Sequence, residues 1–311
     1  MTTFRQLGER EVIRRLARLV PGRPDVRVGI GDDVAVVEHA GAHDLLLTSD
    51  AVIENIHFLP DAPAEQVGHK AIGRILSDFA AMGGEPLWAL VDLVAPAETP
   101  VEWAESVYRG AARLASRFNL AIVGGDTTGG PVRELHVFGV GRAPAGEAVL
   151  RSGAKPGDRL YVTGELGGSL AGRHLNFEPR VAEGTWLREG RWATAMMDIS
   201  DGLIVDLERL LERSGVGAVL HAERVPVSEA ARALKGDRSP LDHALGDGED
   251  YELLFAVPAD RSGDFEAAWK GRFGLSCCAV GKITSETGRL DILDRAGRLL
   301  KPGQAGYEHF A

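Results

Sequence analysis

Five short stretches of this 311-residue chain set aspartate beside glycine or a small hydroxyl residue: Gly29-Ile30-Gly31-Asp32-Asp33, Thr48-Ser49-Asp50, Ser77-Asp78, Gly124-Gly125-Asp126-Thr127-Thr128 and Asp198-Ile199-Ser200-Asp201-Gly202. These are hard oxygen donors, and magnesium is usually held by one or two carboxylates while phosphate oxygens and water complete its shell. Several such corners converging would hold more than one ion against a polyphosphate. Consecutive glycines such as Gly124-Gly125 let backbone N–H groups approach phosphate closely. The pattern points to magnesium-dependent handling of nucleotide phosphates through aspartates rather than a P-loop.

Each stretch alone has a plainer reading. Gly-Asp and Asp-Gly pairs are most often turns, and Asp33 taken singly is a turn residue. Asp50 follows Leu45-Leu46-Leu47, where a buried strand reaches an edge. Asp78 lies close to an apolar helical stripe through Ile75 and Met82, where a carboxylate is costly unless paired or metal-bound. An i,i+4 pair with Arg74 is the plainer alternative there. At 198–202 a Ser or Asp N-cap explains one residue but not both carboxylates, and a helix N-terminus attracts phosphate.

Other schemes fare worse. The chain has no G-x-x-x-x-G-K-[ST], G-x-S-x-G or H-E-x-x-H motif and no kinase H-R-D or D-F-G pair. Gly29-Ile30-Gly31 begins like a dinucleotide fingerprint, but Asp32-Asp33 would set negative charge against the pyrophosphate. A net charge of −10 argues against a general nucleic-acid binder. It is compatible with an anion such as ATP when metal ions invert the local charge. Cys277 and Cys278 are adjacent in an apolar run, which reads as a buried strand rather than a disulfide or zinc framework. No stretch approaches the roughly 18 apolar residues of a membrane span. The charged, amphipathic N-terminus is unlike a signal peptide, so the expected location is the cytoplasm, with no membrane partner.

The elements that must position these residues alternate along the chain. Apolar runs predict strands at 26–30, 34–37, 45–47, 87–95, 120–123 and 135–140, and helical stripes at 68–82 and 101–118. The segment 142–158 is rich in Gly, Pro and Ala and reads as a linker. Beyond it come strands at 160–163, 195–199, 251–257 and 277–283, with helices near 168–174 and at 203–213. The length favours two domains, placed at 1–145 and 150–311.

Seven of these motifs stand in a telling order. The five aspartate stretches, with Thr48-Ser49-Asp50 extended by Asn55-Ile56-His57-Phe58 and Ser77-Asp78 set within Leu76-Ser77-Asp78-Phe79-Ala80-Ala81-Met82-Gly83, are joined by Arg151-Ser152-Gly153-Ala154-Lys155-Pro156-Gly157-Asp158 and by Gly248-Glu249-Asp250-Tyr251-Glu252-Leu253. With this succession the chain resembles the thiamine-monophosphate kinase family of the aminoimidazole-ribonucleotide-synthetase-like superfamily. The resemblance runs from about Gly29 to the terminal Gly306-Tyr307-Glu308-His309-Phe310.

The resemblance implies a two-domain fold of α/β and α+β character. Its N-terminal domain would pair through a β-barrel in a homodimer, and its C-terminal domain would be α+β. It implies Mg²⁺-dependent transfer of the ATP γ-phosphoryl group to thiamine monophosphate, giving thiamine diphosphate and ADP. Asp33, Thr48, Ser49, Asp50, Asp78, Asp126, Asp198 and Asp201 would be ligands of several magnesium ions. Tyr108, Gly125, Asp126, Arg151 and Ser200 would contact ATP, and His57, Glu249 and Tyr307 would bind thiamine monophosphate. No catalytic general base is expected, because the accepting phosphate oxygen is already ionised at neutral pH; direct in-line transfer follows. A synthetase or activating enzyme of the same superfamily would usually carry a reactive cysteine near one terminus, and none is present. A catalytically silent nucleotide-binding protein would be expected to lack some of these aspartates. The stretch 168–179 is shorter than the family often has.

Overall fold

Side chains that alternate between a buried and an open face build the first sheet of the computed structural model, which describes residues 3–20, 23–39, 41–301, 303, 306 and 307. Among these residues its strands are β1 (Val26–Val28), β2 (Ala35–Glu38), β3 (His43–Ile53), β4 (Glu85–Ala95), β5 (Ala121–Gly124), β6 (Thr127–Gly129) and β7 (Glu134–Pro144). They lie in the order β1-β2-β3-β7-β4-β5, with β6 also on β4. β5 and β6 run parallel to β4, and the other pairs are antiparallel.

Ahead of the sheet come α1 (Phe4–Leu7) and α2 (Glu9–Ala17), and its buried face is covered by α3 (Ala64–Ala81) and α4 (Val101–Arg117). α3 and α4 begin directly after Pro63 and Pro100, residues with no N–H to leave unsatisfied. Val67, Ala71, Ile72, Ile75, Leu76 and Phe79 form the apolar stripe of α3 and are fully buried.

The helices touch backbone to backbone. A Cβ on Gly68 would come within 1.9 Å of the Val107 carbonyl oxygen, and one on Gly110 within 1.8 Å of the Glu65 carbonyl oxygen. Alanine is the better helix former by about 1 kcal/mol, yet Gly68→Ala is expected to destabilise the protein by about 1–3 kcal/mol through overpacking. The midpoint of denaturant unfolding measures it; a stabilised variant would contradict the close approach.

The second sheet comprises β8 (Arg159–Thr163), β9 (Ala195–Asp198), β10 (Gly217–His221), β11 (Leu253–Val257), β12 (Cys277–Thr284) and β13 (Leu290–Leu293), in the order β13-β10-β12-β8-β11-β9. β10 and β13 are parallel and the remaining pairs antiparallel. Around it stand α5 (Val181–Glu189), α6 (Leu203–Ser214), α7 (Glu229–Ala233), α8 (Pro240–Gly246) and α9 (Ser262–Arg272). β9 and β11 are buried along their whole length, so their sequences are largely continuous apolar runs. Tyr161, Met196 and Phe255 join the core that contains α3, whereas Leu160, Met197 and Leu254 join the core beneath α6. The first core therefore continues from one sheet to the other, with α3 at its centre. α5 seats against α3, where Gly184 faces the Ala80 carbonyl and Arg188 Nε donates to the Gly83 carbonyl at 2.7 Å.

Three expectations change. Residues 142–144 belong to β7, so the connection without strand or helix spans 145–158. The predicted helix near 168–174 is two short 3₁₀ turns, Ser169–Ala171 and Arg173–Leu175, because Gly167, Gly168 and Gly172 adopt φ of 85°, 69° and 134°. Cys277 and Cys278 are half-buried rather than buried, and as strand neighbours they face the two different cores. Among the described residues, no helix is long and apolar enough to cross a membrane.

Candidate active site

Four elements from both halves meet at three aspartates. Asp33 lies in the turn before β2, Asp78 on α3 and Asp198 at the end of β9, and one oxygen of each lies within 4.8 Å of the others. The Thr48 hydroxyl, on the buried face of β3, donates to Asp78. Ser77 Oγ donates to Asp198 Oδ2 at 2.5 Å. Burial, reinforced by the charges of Asp50 and Asp198, pushes Asp78 well above the usual carboxylate range. Burial, then Asp33, pushes Asp198 up to about 8. Carboxylates packed this closely in a dry site repel one another, and a divalent cation removes both penalties. The donor set of carboxylate oxygens with an adjacent hydroxyl fits Mg²⁺.

Arg151 closes one side of the cluster. Its Nε and Nη2 meet Asp33 Oδ2 and Oδ1 at 3.1 and 2.6 Å, and its backbone N–H reaches Asp32 Oδ1 at 3.2 Å. Asp32 itself is pushed up to about 6 by burial and by Asp33.

The other expected metal ligands do not all join this cluster. Asp50 shares the inner face of β3 with Thr48, but its Oδ1 accepts from Arg74 Nη2 at 2.6 Å. The pairing of Arg74 with Asp78 that sequence spacing allows is thus replaced by one with Asp50. Strand alternation turns Ser49 to the opposite, exposed face, so its hydroxyl points away from Thr48 and Asp78. Asp126 is exposed between β5 and β6, its N–H bound to Asp92 Oδ1 at 2.8 Å. Asp201 pairs with Arg209 Nη1 at 2.5 Å.

Next to Asp50 opens a cavity of about 270 Å³ that His57, Arg74, Ser200, Glu249 and Tyr307 also line. Glu249 is fixed by Lys70 Nζ at 2.6 Å and His174 Nδ1 at 2.8 Å. Burial opposes its charge, but His174 and Lys70 outweigh burial and hold Glu249 down at about 2. Lys70 has no exposed surface; burial lowers it to about 8 although Glu249 favours its charge. Burial and Arg74 lower His57 to about 4, and His57 Nδ1 accepts the Ile53 N–H at 3.1 Å. A neutral ring is thus presented to the cavity. Glu249 and Tyr251 both adopt left-handed φ, 64° and 51°, which non-glycine residues adopt only under constraint. Their N–H groups are pinned to the Ser200 and Ile199 carbonyls at 2.6 and 2.8 Å. That corner explains why β11 starts at Leu253 rather than 251. Tyr307 donates its N–H to the Asp201 carbonyl at 2.9 Å, while Glu308, His309 and Phe310 of the terminal motif lie outside the described residues.

At the start of α6, the N–H groups of Ser200, Asp201 and Gly202 all donate to Asp206 Oδ2, at 3.0, 2.9 and 3.1 Å. The N–H groups just ahead of the helix are thus taken by the chain's own carboxylate. Burial, then Asp201, pushes Asp206 up to about 7.

The residues expected to contact ATP separate into three places, Ser200 lining the cavity beside Asp50. Arg151 borders a cavity of about 340 Å³ between α2 and α6. Tyr108 borders one of about 650 Å³ with Pro96, Val101, Thr127 and Thr128. Gly125 lies near Tyr108: at φ 149°, its Cβ would stand 1.9 Å from the Val91 carbonyl, which also accepts the Tyr108 hydroxyl at 3.4 Å.

Lys70, Arg74, His174 and Tyr251 escaped the sequence reading. Lys70 alone left a signal, a lysine on the buried stripe between Val67 and Ile75; the others depend on contacts between residues distant in sequence or on backbone strain.

The chain matches two family models, "AIR synthase related protein, N-terminal domain" over residues 31–143 and "AIR synthase related protein, C-terminal domain" over residues 178–292. It is 40% identical to the thiamine-monophosphate kinase of Rhodopirellula baltica over 85% of this chain and 86% of that protein. It is 36% identical to that of Salmonella typhimurium over 98% of both. A structure described as AaThiL complexed with AMPPCP and TMP superposes with a TM-score of 0.83 at 32% identity, covering 99% of each chain. The hydrogenase maturation protein HypE of E. coli, at 19% identity and a TM-score of 0.70, shares the fold alone. The chain belongs to the thiamine-monophosphate kinase family of AIR-synthase-related proteins.

Proposed function

We propose that this chain is a Mg²⁺-dependent kinase that transfers the ATP γ-phosphoryl group to thiamine monophosphate, giving thiamine diphosphate and ADP. The observation that carries the reading is the cluster of Asp33, Asp78 and Asp198 beside a cavity lined by Asp50, Arg74 and Glu249. A phosphoryl transfer between two anions needs alignment and charge neutralisation more than a general base. His57, held neutral, fits that division of labour. Magnesium, bound by Asp33, Asp78 and Asp198 with Asp50 and Asp201 nearby, would supply the neutralising charge. Thr48 and Ser77 orient the carboxylates, and Arg151 holds Asp33 in place. His57, Glu249 and Tyr307 form the acceptor site, and Tyr108, Gly125, Arg151 and Ser200 the ATP site. Direct in-line transfer without a phosphoenzyme is the simplest route these parts support.

We place the domain boundary between 145 and 150. A homodimer formed through the open face of the first sheet accords with the exposure of Trp88 (48%), Leu90 (41%) and Phe138 (39%) on adjacent strands. Such pairing would also bring a second chain to Asp126 and the Tyr108 cavity. The test is incubation with Mg²⁺ and ATP and either thiamine monophosphate or thiamine. Thiamine diphosphate forms in the first mixture, and thiamine is left unphosphorylated in the second. ATP consumption without thiamine diphosphate overturns the reading.

A further inference from the structure

Among the described residues lining the acceptor cavity, Arg74 carries the only fixed positive charge, against Glu9, Asp50, Asp201 and Glu249. Its guanidinium is planar, with five N–H donors in fixed directions. Nη1 donates to the Tyr251 hydroxyl at 3.1 Å and lies 3.6 Å from Glu249 Oε1. Nη2 donates to Asp50 Oδ1 at 2.6 Å. Nε is buried and has no hydrogen-bond partner. Nε and Nη2 form one edge of the fork, the edge that Arg151 uses in full on the two oxygens of Asp33. Arg74 uses half of it.

The guanidinium is also prevented from turning aside. Tyr251 is buried, stacked on Phe177 at a centroid distance of 3.9 Å, and fixed at its backbone by Ile199. A buried N–H left unmade is costly unless a ligand completes it. Two oxygens on one phosphorus match an arginine edge in spacing and charge. Thiamine monophosphate is dipolar, with a cationic thiazolium ring and an anionic phosphate; acidic walls around one arginine match that distribution.

We propose that Arg74 is the residue that recognises the acceptor's phosphate, its Nε–Nη2 edge taking two phosphate oxygens, one of them in place of Asp50 Oδ1, while Glu249 and the other acidic walls face the thiazolium. The inference rests on thiamine monophosphate being the acceptor. It makes Arg74 the group that separates thiamine monophosphate from thiamine at the binding step.

Calorimetric binding of thiamine monophosphate and of thiamine to wild type and to Arg74→Met, without ATP, tests it. Removing a charge-assisted bidentate contact is expected to weaken thiamine monophosphate about 10- to 100-fold. Thiamine affinity stays within about 2-fold, and KM for the phosphate rises more than kcat falls. Arg74→Lys recovers part of the affinity, because lysine meets phosphate as a point charge. Equal losses for both ligands, with the fold intact by circular dichroism, would show that Arg74 only supports the cavity wall. Unchanged affinity for thiamine monophosphate would place its phosphate elsewhere. If Arg74→Met does not fold, the lysine variant decides alone: a selective loss for the phosphate supports the inference and a parallel loss overturns it. Wild-type protein that makes no thiamine diphosphate would overturn the function on which the inference rests; wild type that does so, with both ligands unaffected in the variants, would overturn only the role of Arg74.

Discussion

Replacing Asp78 by Asn is expected to lower turnover on the order of 10²- to 10³-fold, the usual loss when one preorganised electrostatic group at a reacting centre is removed, and at the same time to stabilise the metal-free protein. Asp78 sits buried beside Asp33 and Asp198 with the Thr48 hydroxyl as its donor. Asn keeps an acceptor for that hydroxyl and removes a charge that burial and its neighbours disfavour. The pH dependence has a definite sign. The folded-state pKa values of Asp78 and Asp198 are raised, that of Asp198 to about 8. Their protonated forms therefore support the fold, fully below the unfolded value of about 4 and progressively less as pH rises through the folded values. The stabilisation by Asn thus grows as pH rises above the ordinary carboxylate range and disappears below about pH 4. Magnesium should raise the melting temperature of wild type at pH 8 more than at pH 5, and raise that of the variant less. Calorimetric scans of both proteins with and without Mg²⁺ measure all of this. A variant destabilised at pH 8 in the absence of metal would contradict the electrostatic account.

The second large effect concerns Lys70. Its ammonium reaches Glu249, His174 and the His57 carbonyl, at 2.6 to 2.8 Å, with no exposed surface of its own. Breaking a buried pair by removing one partner strands the other charge, at about 3–5 kcal/mol. Lys70→Met should therefore lower the melting temperature by roughly 10 °C. It should also weaken the acceptor, because Glu249 and the His57 loop lose their common anchor. The double variant Lys70→Met, Glu249→Gln removes both charges and should recover most of the stability but none of the activity. A double-mutant cycle reads the coupling; additive losses would show that the two groups do not act as a pair.

Periodicity carried the parts of this fold that depend on neighbours in sequence. α3 was legible because its apolar stripe is regular, and β3, β4 and β7 because their burial alternates. The 168–174 stretch misled because its composition suits a helix while three glycines at positive φ break it into turns. The aspartates were legible as types and order, although Asp50 lies within β3 and Asp78 within α3 rather than at an element's end. Their grouping was not. Asp33, Asp78 and Asp198 converge, while Asp126 faces out with Asp92 and the Ser49 hydroxyl is turned away by the parity of a strand. The role of Asp206 was hidden for a similar reason: it lies within α6 and folds back to take the N–H groups of Ser200, Asp201 and Gly202. Arg74 could not be read because its partners, Asp50 and Tyr251, lie 24 and 177 residues away.

The central claim is that the γ-phosphoryl group passes directly from ATP to thiamine monophosphate. Following γ-labelled ATP in the presence of Mg²⁺ and thiamine monophosphate measures that passage. The label should appear in the terminal phosphate of thiamine diphosphate, in equal amount to the ADP formed, with none on the protein. Label recovered as free phosphate, or held by the protein in a form that turns over, would contradict it.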